Sequence, residues 1–269
     1  MRLTDTIKSS DDLQKQYRDS SNLSARIAIY RFSVGEGFGP VWVFDRILES
    51  IPADADVMEL GCGPAGLWKK NLVRVPPSWR ILLTDLMPGM LEEASSALGG
   101  DTRFRMRQMD AHKLDVPDAS FDAVIANHML YHLDDRPSAL REICRVLKPG
   151  GKLISSTNSE GHMREMRLLL DEFLGDNSPL KGEMPFSLEN GEAQLRLFFG
   201  KVCAHRIRNQ LRVTEVDAVV QYVLSAGDAK EIVVGERLDA LNRRVHDEIE
   251  SKGAFVFPTD AGLFVSTKT

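Results

Sequence analysis

Between Asp56 and Gly66 an apolar run, Val57-Met58-Glu59-Leu60, breaks into Gly61-Cys62-Gly63-Pro64-Ala65-Gly66 and then into a helical pattern. Glycines at such a strand-to-helix turn let a ligand approach the backbone where exposed N–H groups and the helix dipole favour a carboxylate or phosphate. The same geometry serves nicotinamide and flavin dinucleotides, and a purely structural turn is the plain alternative. Glu59, two residues ahead of the first glycine, separates these readings. An ionised carboxylate repels a diphosphate and attracts a sulfonium or an ammonium.

Downstream, short apolar runs alternate with helical patterns, the signature of a parallel sheet with crossover helices. Strands are expected over 56–60, 80–85, 103–109, 121–126 and 151–157. The helix expected over 136–147 carries Leu140, Ile143, Cys144 and Leu147 on one face, behind Asp134-Asp135 and ahead of Lys148-Pro149-Gly150-Gly151. A second, over 88–98, presents Leu91, Ala94 and Leu98, with Pro88 in its first turn and Gly99-Gly100 at its exit. With 269 residues, 43% of them hydrophobic, the chain is expected to form one domain around one core. Its parts read as an N-terminal helical lid over 1–45, a ligand-binding core over 52–158, a helical insertion or acceptor cap over 159–250, and a closing hairpin over 253–269. In the insertion, Met163, Met166, Leu170 and Phe173 share one face and Val216, Val219, Val220 and Val223 another, a pattern of core or lid packing.

The second and third strands end in acids. Asp85 closes Leu82-Leu83-Thr84-Asp85, where a carboxylate accepts hydrogen bonds from both hydroxyls of a ribose. Asp110 follows the third strand in Met109-Asp110-Ala111, where it either accepts from an adenine amino group or serves as a turn or cap residue. With Glu59 these make three acids at the carboxyl edge of successive strands, the edge at which open α/β sheets bind ligands. The net charge of −5 argues against a nucleic-acid partner. Arg103, Arg105 and Arg107 read as the solvated side of a strand whose Phe104 and Met106 point inward. The three cysteines, Cys62, Cys144 and Cys203, lie far apart, against a disulfide framework or a cysteine zinc site; no metal is expected. No run has the composition of a signal peptide or the length of a membrane span, so the expected compartment is the cytoplasm.

Glu59-Leu60-Gly61-Cys62-Gly63, then Asp85, Asp110-Ala111, Phe121-Asp122-Ala123-Val124-Ile125-Ala126-Asn127 and Leu147-Lys148-Pro149-Gly150-Gly151-Lys152-Leu153 together resemble the class I S-adenosylmethionine-dependent methyltransferases, especially their ubiquinone-biosynthesis-like small-molecule branch. The resemblance is strong over about 55–160. It implies a Rossmann-like α/β fold, a seven-stranded, mostly parallel sheet of order 3-2-1-4-5-7-6 with the last strand antiparallel and helices on both faces. It also implies S-adenosylmethionine as cofactor. Gly61, Cys62, Gly63 and Gly66 would cradle its methionine part, and Glu59 would organise the loop. Asp85 would hold the ribose and Leu86 lie against the adenine, whose edge Asp110 and Ala111 would read, with Asn127 near the methyl. Ala65 departs from the family, which often has glycine there. The Asn/Asp-Pro-Pro-aromatic motif of nucleic-acid amino-methylating enzymes is replaced by Asn127-His128-Met129-Leu130.

The activity implied is methyl transfer to an oxygen, nitrogen or carbon nucleophile of a small metabolite, by in-line attack on an already electrophilic methyl. A cofactor-binding protein that does not methylate, such as a cyclase or a binding module, is the alternative on the same fold. An oxidoreductase is disfavoured by Glu59. Oxygen and nitrogen acceptors must shed a proton, and among the six histidines His128, His132 and His162 follow the fourth or fifth strand at the sheet edge. His128 and His132 would share one face of a helical turn. Against this, His132 would cap a local network beneath Asp134, and His162 would merely begin the next helix. Ahead of the glycine-rich turn at 35–39 stand Tyr17, Arg26, Tyr30, Arg31 and Phe32. A lid hinged there would bring Tyr17 or Arg31 to the cofactor carboxylate, the alternative being an amphipathic helix packed on the sheet.

Overall fold

A computed structural model describes residues 21–35, 37–178 and 182–269; Tyr17 lies outside them. Among the described residues seven strands are seen: β1 Asp56–Leu60, β2 Arg80–Asp85, β3 Phe104–Gln108, β4 Phe121–Asn127, β5 Leu147–Asn158, β6 Lys201–Val213 and β7 Phe255–Thr267. They form one sheet in the order β3-β2-β1-β4-β5-β7-β6. Pairing is parallel from β3 through β5, and β7 runs antiparallel to β5. This is the order and the antiparallel strand that the resemblance implies.

The chain divides into two compact units rather than one core with embellishments: one of 38–160, 185–206 and 261–269, the other of 161–184 and 207–260 together with the residues up to 37. In the first of these, consecutive strand residues are buried to opposite sides. Val57, Ala123, Ile125 and Ile154 join a cluster with Phe44, Ile47, Trp68, Trp79 and Leu83. Met58, Leu60, Val124, Ala126 and Leu153 join another with Leu140, Ile143, Phe186 and Phe264. That is the period-two alternation of a strand covered on both faces, and it explains why these strands read as unbroken apolar runs. The helices Pro88–Leu98 and Arg136–Val146 start with proline in the first turn. Gly99 ends the former in a left-handed conformation, and the Asp135 carboxylate caps the latter through Ser138 N at 3.0 Å. The helix Pro40–Ser50 buries Val43, Phe44 and Ile47, so the last residues of the expected lid are core. The other unit has its own cluster, in which Met163, Met166, Leu170 and Phe173 meet Val219, Val220, Val223, Leu241 and Val245. These methionines are packing, as their pattern suggests.

Two expectations are corrected. The stretch 253–269 is not a hairpin. Phe255, Phe257, Thr259, Ala261, Leu263 and Val265 are all buried at period two, so the alternation runs straight through the expected turn at Thr259-Asp260-Ala261 as one strand. Gly262 keeps it close to β6, since a Cβ there would lie 2.2 Å from the His205 carbonyl oxygen. Second, the stretch 159–250 is not wholly helical, for it supplies β6. The signal was Arg206-Ile207-Arg208 and Leu211-Arg212-Val213, alternation obscured because His205 and Asn209, at the half-buried positions on either side of Ile207, are polar.

Candidate active site

The carboxyl ends of β1, β2, β3 and β4 bring the site together. Gly61 adopts φ +63°, and a Cβ there would lie 3.1 Å from Met129 Cβ, so the turn out of β1 requires glycine. Cys62 N donates to Thr84 O at 2.9 Å, carrying the β1–β2 pairing into the loop, while its buried thiol donates to Gly63 O and is pushed up by desolvation. Gly63 is also left-handed, at φ +54°, and its N–H donates to Asp85 Oδ2 at 2.9 Å. Gly66 opens the short helix Gly66–Asn71 behind Ala65, which holds φ +57° without being glycine. The family's glycine at that position therefore has a conformational reason, and the alanine carries strain of about 1 kcal/mol.

Glu59 is 2% exposed, and Trp68 Nε1 donates to its Oε2 at 2.5 Å. Burial pushes its carboxyl up to about 8; the indole hydrogen bond opposes this and the Asp85 charge adds to it. Ahead of the glycine turn Glu59 reads as an ionised acid; in the ligand-free fold burial favours its protonated form, because one hydrogen bond does not replace the lost hydration. Its visible work is to anchor Trp68 beneath the loop.

Asp85 accepts from Gly63 N and from Met87 N, both at 2.9 Å. Burial raises its pKa, and the N–H groups of Met87, Gly63 and Leu86 oppose the rise. A carboxylate has about four lone-pair positions, so acceptor capacity for a ribose diol remains. Beside it Leu86 leaves its apolar side chain 40% exposed, a surface suited to an adenine face. Met109 N donates to Asp85 O at 3.1 Å, which sets the end of β3 against the end of β2. Asp110 then turns the chain: its Oδ1 accepts from His112 N at 2.9 Å and faces His112 Nδ1 at 2.7 Å. The turn role and the adenine role are thus compatible, one oxygen serving each. Ala111 is buried behind it.

At the end of β4, Ser156 Oγ donates to Asn127 Oδ1 at 2.5 Å and accepts from His128 N at 3.0 Å. His128 is left-handed, at φ +53°, and its ring meets Phe38 edge-on at 5.0 Å and Tyr131 at 6.2 Å. The expected shared helical face of His128 and His132 is not formed, because the turn that follows is a 3-10 turn, Leu130–His132, entered from the left-handed His128. Asp134 Oδ1 lies 3.2 Å from His112 Nε2, a partner that spacing did not suggest. Phe38, Ser156, Trp68 and Met129 were also missed. Each acts through a contact distant in sequence.

His162 and Arg31 belong to the other unit. His162 Nε2 lies 3.0 Å from Tyr30 Oη, and Nδ1 lies 3.1 Å from the Asp260 backbone. Burial lowers its pKa to about 4, so it is a neutral and weak base. It precedes the helix Arg164–Leu174, as the plain alternative had it. Arg31 pairs with Glu215 at 2.5 Å and lies over the Phe32 ring at 4.7 Å, both partners within its own unit. Among the described residues no cluster of metal-ligating side chains occurs, and no helix is long and apolar enough to cross a membrane.

Residues 58–155 match the family described as methyltransferase domain. The chain is 36% identical over 107 residues to the ubiquinone/menaquinone biosynthesis C-methyltransferase UbiE of Hahella chejuensis, which covers 39% of this chain and 43% of that protein. It is 25% identical over 158 residues to the malonyl-(acyl-carrier protein) O-methyltransferase of Legionella pneumophila, covering 59% and 54%. The chain thus spans about half the length of these two relatives. Its fold is similar to that of phosphoethanolamine N-methyltransferase 2 of Haemonchus contortus, solved with phosphomonomethylethanolamine and S-adenosylhomocysteine. The TM-score is 0.60 at 18% identity, over 97% of this chain and 61% of that one.

Proposed function

Taking as premise that this chain carries a class I S-adenosylmethionine-dependent methyltransferase domain, we propose that it transfers the cofactor's methyl group to an oxygen, nitrogen or carbon nucleophile of a small molecule. The observation that carries this reading is the Asp85 carboxylate, fixed by Gly63 N–H and Met87 N–H beside the exposed Leu86. The cofactor supplies a methyl on a sulfonium, already electrophilic, so what falls to the protein is alignment and exclusion of water. Gly61, Cys62, Gly63 and Gly66 would hold the methionine part, Asp85 the ribose, and Leu86, Asp110 and Ala111 the adenine. Asn127, tied to Ser156, would border the methyl. Tyr17 and Arg31 remain candidates for the cofactor carboxylate. Where the acceptor must lose a proton, His128 and His132 are the candidates, since the nitrogens of His162 are engaged and its ring is weakly basic.

The test has two parts. Methyl-labelled S-adenosylmethionine incubated with the protein and a cell extract should place label in a small-molecule fraction; a protein that binds the cofactor and transfers no label would be the cyclase or binding module instead. Asp85→Ala should weaken S-adenosylhomocysteine binding by about 1–3 kcal/mol in titration calorimetry, the cost of unpaired buried polar groups. Unchanged affinity would sink the ribose assignment.

A further inference from the structure

We propose that His112 is a positioning residue for cofactor recognition: it clasps Asp110 to Asp134 and so presents the Asp110 carboxylate to the amino edge of an adenine. The inference rests on the reading above, in which Asp110 faces the adenine. Nothing in the local motif asks for a histidine here. Its ring nonetheless lies between two carboxylates from different loops, with Nδ1 2.7 Å from Asp110 Oδ1 and Nε2 3.2 Å from Asp134 Oδ1. The ring is 27% exposed, whereas Asp110 and Asp134 are 53% and 71% exposed. Two further bonds lock the turn: His112 N donates to Asp110 Oδ1 at 2.9 Å, and Lys113 N to Asp110 O at 3.0 Å. Asp134 is held in turn, since its Oδ1 accepts from Asp135 N at 2.8 Å, just ahead of the helix Arg136–Val146.

The N–H groups of the ring set what the clasp can hold. A neutral imidazole has one N–H. Given to Asp110, it leaves the Nε2 lone pair against the Asp134 carboxylate, and Nε2 is indeed buried with no hydrogen bond in line. An imidazolium has two N–H groups and attracts both acids. Asp110 and Asp134 are the charged groups within ion-pair distance of the ring among the described residues. Asp110 then has one oxygen committed to the turn and one left for an adenine amino group.

The experiment measures S-adenosylhomocysteine and its inosine analogue by titration calorimetry. The wild type should prefer the adenine compound. His112→Ala should weaken adenine binding about fivefold to tenfold and shrink the preference over the inosine analogue, as expected for one lost charge-assisted hydrogen bond. His112→Asn, which keeps a donor for Asp110, should retain the preference. If the wild type binds neither compound, the functional reading falls and takes this inference with it. If the wild type binds and His112→Ala matches it in affinity and preference, the inference alone is overturned.

Discussion

Glu59 shows what burial does to a single carboxyl. Its unfolded-state pKa is that of an ordinary glutamate, and in the fold it is pushed up to about 8. Between those values the folded state holds a proton that the unfolded state has lost, so stability falls as pH rises through this window and levels off above the folded value. Glu59→Gln keeps an acceptor for Trp68 and removes the titration. Its urea-unfolding free energy should lose about 1–3 kcal/mol of the decline seen in the wild type between pH 5 and pH 8.5, the scale of desolvating a polar group with a single partner. If both proteins decline equally, Glu59 is not the titrating group. Ala65 and His128 illustrate the other residue-scale effect, a left-handed backbone held by non-glycine residues at the two turns that border the site.

At the scale of elements, the turn carrying His128 and His132 is held in place by Arg136. Its guanidinium donates to the carbonyls of Leu130 at 3.2 Å, Leu133 at 2.9 Å and Pro185 at 2.6 Å, and its Nε to Gln194 Oε1 at 2.9 Å. All four acceptors are neutral, so desolvation lowers the arginine's pKa with no carboxylate to offset it. Five fixed donors on a planar group suit this use, and a lysine has no equivalent. Arg136→Met should cost about 1–3 kcal/mol and speed amide hydrogen exchange over 128–133 while leaving the β1 and β2 amides unchanged. Unaltered exchange in that turn would mean it is held by packing alone.

At the scale of the whole molecule, the segment ahead of the glycine-rich turn is tied into the unit that holds His162. Ser33 bridges Leu211, Val34 N donates to Gln210 O at 3.1 Å, and Asn209 Nδ2 donates to Ser33 Oγ at 3.0 Å. The lid reading concerns what happens beyond this anchor. It predicts that S-adenosylhomocysteine slows limited proteolysis between 33 and 40, whereas a segment simply packed in place would be cut at the same rate with and without ligand.

Much of the site was legible in the chain because it rests on local chemistry. The apolar run into Gly61-Cys62-Gly63 names a strand and a turn whose φ only glycine adopts freely, and Asp85 stands at a strand end wherever that strand is placed. The short apolar runs likewise locate β1, β2 and β4 within a residue or so. Tertiary structure alone decided the rest. Whether Phe255–Thr267 turns back or continues depends on the neighbours it meets, β5 along 152–158 and the close approach at Gly262. β6 is a strand because a sheet edge receives it, its own alternation being too polar to announce it. The upward push on the Glu59 carboxyl comes from water removed by packing, which no residue carries in its own identity. His112 and Arg136 gained their roles from acceptors 22 and up to 58 positions away, brought within hydrogen-bonding or ion-pair distance only when the chain had folded.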